Sequence, residues 1–184
     1  MGREWLNCWH EKLEYSLSSQ QDFDIEILKN HIPSCVSVKK TDVATDKTGV
    51  DYIATLKNGA VVFVDAKTRT SDCAKFWVQG EPELALEKWS IVDKKVGWTL
   101  STSSAVDYIL FTFDKEVCDR FFFIPFQLLR KAFLENGKKW QDKYGLKYQS
   151  SYSCGRYWRS AAIFVPASVV VQAVRQTMIG ECIN

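Results

Sequence analysis

Three charged residues stand at a spacing that suits hydrolytic chemistry: Asp51 at the start of one β-prone run, and Asp65 and Lys67 near the end of the next. The runs 51–56 and 60–67 flank Lys57-Asn58-Gly59, a combination that predicts a hairpin. If all three intervening residues form the loop, with Gly59 in the left-handed conformation, Leu56 pairs with Ala60 and the register brings Asp51 opposite Asp65. Their Cβ atoms would then lie about 4.5–5.5 Å apart. Lys67, two residues beyond Asp65, falls on the same face by strand alternation. If only Asn58-Gly59 turn, the register moves by one residue and Asp51 points to the other face unless a bulge restores it. The sequence favours the three-residue loop.

Two carboxylates crowded on one face repel each other unless a cation lies between them. A hard cation such as Mg²⁺ takes one or two carboxylates and completes its shell with waters and phosphate oxygens. It polarises a phosphoryl oxygen and acidifies a bound water, while a neighbouring lysine orients that water or offsets charge at the pentavalent stage. The cluster therefore suits phosphodiester hydrolysis. The plainer reading is a surface Asp and Lys ending a strand, and for an isolated D-x-K it is the stronger one. Here an upstream acid, an Asn-Gly turn and flanking helical patterns accompany the motif.

Gly49-Val50-Asp51-Tyr52 followed by Val64-Asp65-Ala66-Lys67 resembles the PD-(D/E)xK pattern of restriction endonucleases, Holliday-junction resolvases and repair nucleases. Val50 stands where the motif has its proline. The resemblance covers roughly the first two thirds of the chain. It implies an α/β (α+β) fold with an α-β-β-β-α-β core, a central mixed sheet flanked by helices, here followed by a C-terminal β-α extension. It also implies Asp51, Asp65 and the backbone carbonyl of Ala66 as metal ligands and Lys67 as the water-positioning residue. An acid on the first helix assists the metal in some members, and Glu11 and Glu14 are the candidates.

The elements that must position these residues follow from periodicity. Trp5, Trp9, Leu13 and Leu17 recur every four residues and predict a first helix. Phe23, Ile25, Ile27 and Leu28 predict a second, short one ending before Pro33, with a strand from Cys35 to Val38. Pro82 suits a first helical turn, and Ala85, Trp89, Val92 and Val96 predict a central helix closing at Gly97. Val106–Phe113 and Phe121–Ile124 read as strands, and 126–135 as a helix closed by Asn136-Gly137. Ala161–Val165, Pro166 and the stripe Val169, Val170, Ala173, Val174 repeat that strand-proline-helix order. With 184 residues, 46% of them apolar, the expectation is one domain over 1–184, its core at about 1–135 and an extension at about 136–184.

A net charge of +2 excludes a protein that coats nucleic acid by bulk charge, so phosphate contacts need a local patch. Two are visible: Lys67, Arg69 and Lys75 past the motif, and the interleaved cations and aromatics from Lys138 to Arg159, including Lys143, Lys147, Arg156 and Arg159. The alternative for the second stretch is a solvated loop whose rings fold back on the core. Glu81, Glu83 and Glu87 could supply a further acid, although a helix dipole accounts for the first two. Gln79 is a weaker candidate for a substrate contact. Six singly spaced cysteines and two histidines, His10 and His31, read as reduced structural residues; a Cys8/His10 ligand pair is a remote option. No apolar run reaches the roughly 18–20 residues of a membrane span, and the acidic N-terminus is unlike a signal peptide, so a cytoplasmic location is expected.

The leading expectation is thus a Mg²⁺-dependent DNA endonuclease, with Mn²⁺ as a substitute, acting as a monomer or homodimer. A catalytically inactive member of the same fold that binds nucleic acid or protein is the alternative. An α/β interaction protein with an accidental motif is the third.

Overall fold

The computed structural model describes residues 20–42, 49–69, 74–75, 77, 80–113, 118–153 and 156–183. The expected first helix at Trp5–Leu17, with Glu11, Glu14 and the Cys8/His10 pair, lies outside the described residues. The helix at residues 20–31 (α1) precedes β1 (Cys35–Lys40), as the patterns predict. β2 (Tyr52–Leu56) and β3 (Val61–Arg69) form the expected hairpin, and β6 (Tyr108–Phe113) and β7 (Phe122–Pro125) the later strands. These five make one mixed sheet in the order β1-β2-β3-β6-β7, antiparallel except for the β3–β6 pair, which is parallel.

Successive residues of β3 serve different layers. Val64, with Tyr52 and Ala54 of β2 and Leu110 of β6, packs against Ile27 and Leu28 of α1. Phe63, with Ile53 of β2 and Ile109 and Phe111 of β6, belongs to the larger core on the other side. Asp65 and Lys67 share that second side by alternation.

The expected central helix is not there. β4 (Glu83–Ile91) and a two-residue β5 (Lys95–Val96) replace it as a hairpin. Leu84 and Leu86 are fully buried while Ala85 and Glu87 are partly exposed, a period of two that specifies a strand. Ala85 and Trp89 are four apart, as on one helix face, but a bulge between Glu87 and Trp89 puts them on opposite faces of the strand. Val92 falls in the turn and Val96 is exposed. Gly97 closes this hairpin rather than a helix: its amide bonds to the Lys88 carbonyl at 2.8 Å, and a Cβ there would lie 2.2 Å from the Glu87 carbonyl oxygen. Glu81, expected to complement the dipole of that helix, instead accepts a hydrogen bond from the Ser168 amide, 2.8 Å away, at the start of the last helix.

β4 joins β8 (Lys147–Ser153) and β9 (Arg156–Pro166) in a second, antiparallel sheet of order β5-β4-β9-β8. The helix α2 (Phe126–Tyr144) runs through Asn136-Gly137 instead of stopping there, and ends at Gly145, whose φ is +77°. Trp140, 3% exposed, continues the apolar stripe of Leu129 and Phe133, and its burial outweighs the weak helix propensity of Asn-Gly. Gly137 packs under the Phe133 ring, which a Cβ there would approach tightly, to 3.3 Å. α3 (Ala167–Ile183) follows Pro166 as expected. Leu84, Leu86, Ile163 and Val165 of the second sheet share one buried cluster with Leu129 of α2, Val170 of α3 and Phe111 of the first sheet. The architecture is therefore a mixed α/β arrangement with a mixed central sheet. No described helix is long and apolar enough to cross a membrane.

Candidate functional site

The hairpin takes the three-residue loop. Gly59 has φ of +82°, its amide donates to Leu56, and the Leu56 amide donates to Ala60 at 2.8 Å. The ladder pairs Tyr52 with Val64 and Thr55 with Val61, and the same register carried one residue back sets Asp51 against Asp65. Asp51 itself lies just outside β2. Its amide donates to Val64 at 2.9 Å, and its carboxylate Oδ2 accepts the Ala66 amide at 2.7 Å. The Asp51 carboxylate thus takes the place that a strand partner would occupy. Alternation points the Ala66 carbonyl to the same side, beyond the end of β2.

Asp65 is 4% exposed and receives the Lys67 ammonium at 2.5 Å. Burial pushes its pKa up to about 7; Lys67 opposes that shift and Asp51, hydrogen-bonded and like-charged, adds to it. Lys67 also lies 5.4 Å from the Trp98 ring centroid, an arrangement favourable for a cation over an aromatic face. Of the three residues picked out by spacing, Asp65 therefore meets both Lys67 and Asp51. Among the described residues no group of three or more His, Cys, Asp or Glu side chains is gathered as a metal cluster. Two carboxylates and a carbonyl are a smaller, all-oxygen donor set, and that chemistry fits a hard cation that keeps most of its waters.

Beside this point a cavity of about 510 Å³ opens between the two sheets. Lys67 and Arg69 line it from β3, Glu87 from β4, and Lys147 and Gln149 from β8, with Trp98 and Phe164 supplying apolar surface. Glu87 is held in place: its Oε2 accepts Ser90 Oγ at 2.7 Å and the Trp98 amide at 3.1 Å. Arg69 bonds the Glu83 carbonyl at 3.2 Å and stacks over Phe164 at 4.6 Å. Burial raises the Glu83 pKa, and Arg69 and Lys147 both work against that rise, so these two cations flank one carboxylate.

The predicted basic stretch divides. Lys138 pairs with Asp142, Trp140 is core, and Lys143 is exposed in the last turn of α2 beside Tyr144. On the β8–β9 hairpin Lys147 pairs with Ala162 and Gln149 with Ser160, and all four line the cavity. Arg159 alternates to the opposite face, stacked over Tyr148 at 4.4 Å, and Arg156 is exposed near the turn. Only Lys147 of the four predicted cations here reaches the cavity among its described lining. Lys75 is exposed, and Gln79 lies outside the described residues.

Sequence reasoning missed Asp24. It is 2% exposed on α1, where Oδ1 accepts Gln20 Nε2 at 2.8 Å and Oδ2 accepts the Tyr52 hydroxyl at 3.0 Å. Thr112 joins the network through Gln20, and Thr68 through Thr112. Burial raises the Asp24 pKa, these donors oppose it, and the charge of Asp51 contributes a small further rise. The available signal was its spacing, three and four residues before Ile27 and Leu28, which puts a carboxylate on the buried stripe. Trp98, Gln149 and Phe164 had no local signal. Comparison of the chain with protein-family models, curated proteins and solved structures found no match.

Proposed function

We propose that this chain is a metal-dependent nuclease, most simply a DNA endonuclease, with Asp51, Asp65 and Lys67 as its reactive centre. The observation that carries this reading is the convergence of those three side chains, with Lys67 also lining a cavity that holds Arg69 and Lys147. The strand order around them, an antiparallel meander followed by a parallel β3–β6 pair, supports the resemblance to the PD-(D/E)xK fold, while the β4–β5 hairpin in place of the central helix departs from it.

Asp51, Asp65 and the Ala66 carbonyl would hold Mg²⁺ or Mn²⁺, which polarises a phosphoryl oxygen and lowers the pKa of a bound water. The protein's own groups do the rest. The Ala66 amide fixes the Asp51 carboxylate, so that one ligand is oriented before substrate arrives. Lys67 neutralises Asp65 and, a third exposed, directs its ammonium to where an attacking water and a phosphate would meet. Arg69 and Lys147 offset the charge of the incoming backbone.

The test is incubation of purified protein with supercoiled plasmid, linear duplex, single strands and a four-way junction, in Mg²⁺, Mn²⁺ or EDTA. Cleavage in either metal and none in EDTA is expected. Binding without cleavage under all metal conditions would favour the inactive binding module.

A further inference from the structure

We propose that the cavity between the two sheets admits a single strand of nucleic acid, seating one nucleotide at a time, and excludes an intact duplex. The inference rests on the nuclease reading for the identity of the polymer. Its basis is that the cavity has two walls from different sheets. Lys67 and Arg69, two residues apart on β3 and so about 7 Å apart along the strand, form a cationic rail on one side. Lys147 and Gln149 have the same spacing on β8 and face them from the other.

The walls are close. Arg69 of the first sheet reaches the second, bonding the Glu83 carbonyl of β4 at 3.2 Å and stacking over Phe164 of β9 at 4.6 Å. The volume of about 510 Å³ lies within the about 300–1,000 Å³ of small-ligand sites, room on the scale of one nucleotide and not of a duplex. Lys67 joins the cavity to the acids, since it lines the cavity and its ammonium bonds Asp65. An unpaired strand brings phosphates to the cationic rails and leaves its base edges to Gln149 and Ser160, beside the apolar surface of Trp98 and Phe164.

The experiment uses the full chain carrying Asp65→Asn and measures fluorescence anisotropy with a labelled single strand and with a blunt duplex of the same sequence. The single strand should bind at least about tenfold more tightly. Ala162→Trp, which fills the cavity, should abolish that preference. Should Ala162→Trp fail to fold by circular dichroism, the Lys147→Ala/Gln149→Ala pair, which leaves the core intact, should reduce single-strand binding by about tenfold. Equal or tighter binding of the duplex, no binding of either, or full single-strand binding by the folded cavity-filled protein would overturn the proposal. Cleavage by the unsubstituted chain is read separately. Metal-dependent cutting of blunt duplex and single strand at equal rates overturns the single-strand slot and leaves the nuclease reading standing. Single-strand preference in binding with no metal-dependent cutting keeps the slot and removes the nuclease reading.

Discussion

Asp24 and Asp65 are hidden from water to nearly the same degree, at 2% and 4% exposure, and burial raises the pKa of both, yet their neighbours differ in kind. Asp24 has each oxygen taken by a neutral donor, Gln20 or Tyr52, on the α1 side of the sheet. Asp65, on the other side, touches a second carboxylate and an ammonium, and among the described residues it accepts from no neutral donor. A buried carboxylate satisfied by neutral groups ties elements together. One that faces a like charge across a half-open site is arranged for a cation. The contrast separates a carboxylate that holds α1 to the sheet from one that the proposed function assigns to a cation.

The sharpest way to break this contrast is to remove each charge in turn and titrate Mg²⁺. Asp65→Asn and Asp51→Asn should each lower Mg²⁺ affinity by about 100-fold or more by calorimetry, since each removes one of two charged ligands. Asp24→Asn, which keeps the hydrogen-bonding capacity, should leave it within about threefold.

The next effect is on stability against pH. Burial lifts the Asp65 pKa in the folded protein from the ordinary 3.8 to about 7. Between those values the unfolded chain loses its proton first, so the folded state holds more protons and stability falls as pH rises through the window, then levels off above about 7. For the metal-free protein this amounts to at most a few kcal/mol. Asp65→Asn should flatten the dependence and raise Tm at pH 8; an unchanged slope in thermal melts from pH 4 to 8 would refute the assignment. Mg²⁺ affinity should rise over the upper part of the same window as proton competition ends.

Lys67→Ala should lower the single-turnover cleavage rate by about 100-fold while retaining Mg²⁺ binding, because the proposed mechanism has the lysine act on water and charge and not as a ligand. Its loss also removes the group that holds the Asp65 pKa down, so the pH at which Mg²⁺ binding sets in should move upward.

The smallest effects distinguish the two faces of the β8–β9 hairpin. Lys147→Ala should weaken nucleic-acid binding several-fold and lower the salt slope by about one, whereas Arg159→Ala, on the face away from the cavity, should change either little. Equal effects of the two would place the binding surface elsewhere.

The hairpin and its acids were legible because a period of two, an Asn-Gly turn and a single-residue choice of loop length determine which side chains meet. The first sheet follows from similar runs. Residues 82–97 were misread because the step from Ala85 to Trp89 matches a helix and hides a strand bulge between them, while the deciding alternation lay in Leu84 and Leu86, fully buried in the core shared with α2 and α3. Asn136-Gly137 looked like a helix end because the burial of Trp140, which carries the helix onward, is a tertiary effect. The second wall of the cavity was invisible for the same reason: it exists because β4 pairs with β9, some eighty residues away in sequence, and only that pairing brings Glu87, Phe164 and Lys147 beside Lys67.

The central claim is most directly tested by strand cleavage at pH 8 in Mg²⁺, comparing the unsubstituted chain with Asp24→Asn and Asp65→Asn after both variants are shown by circular dichroism to be folded. Cleavage by Asp24→Asn within about threefold of the parent, with Asp65→Asn reduced by about 1,000-fold or more, is the predicted result. Undiminished cleavage by Asp65→Asn, or losses of equal size in the two variants, would contradict it.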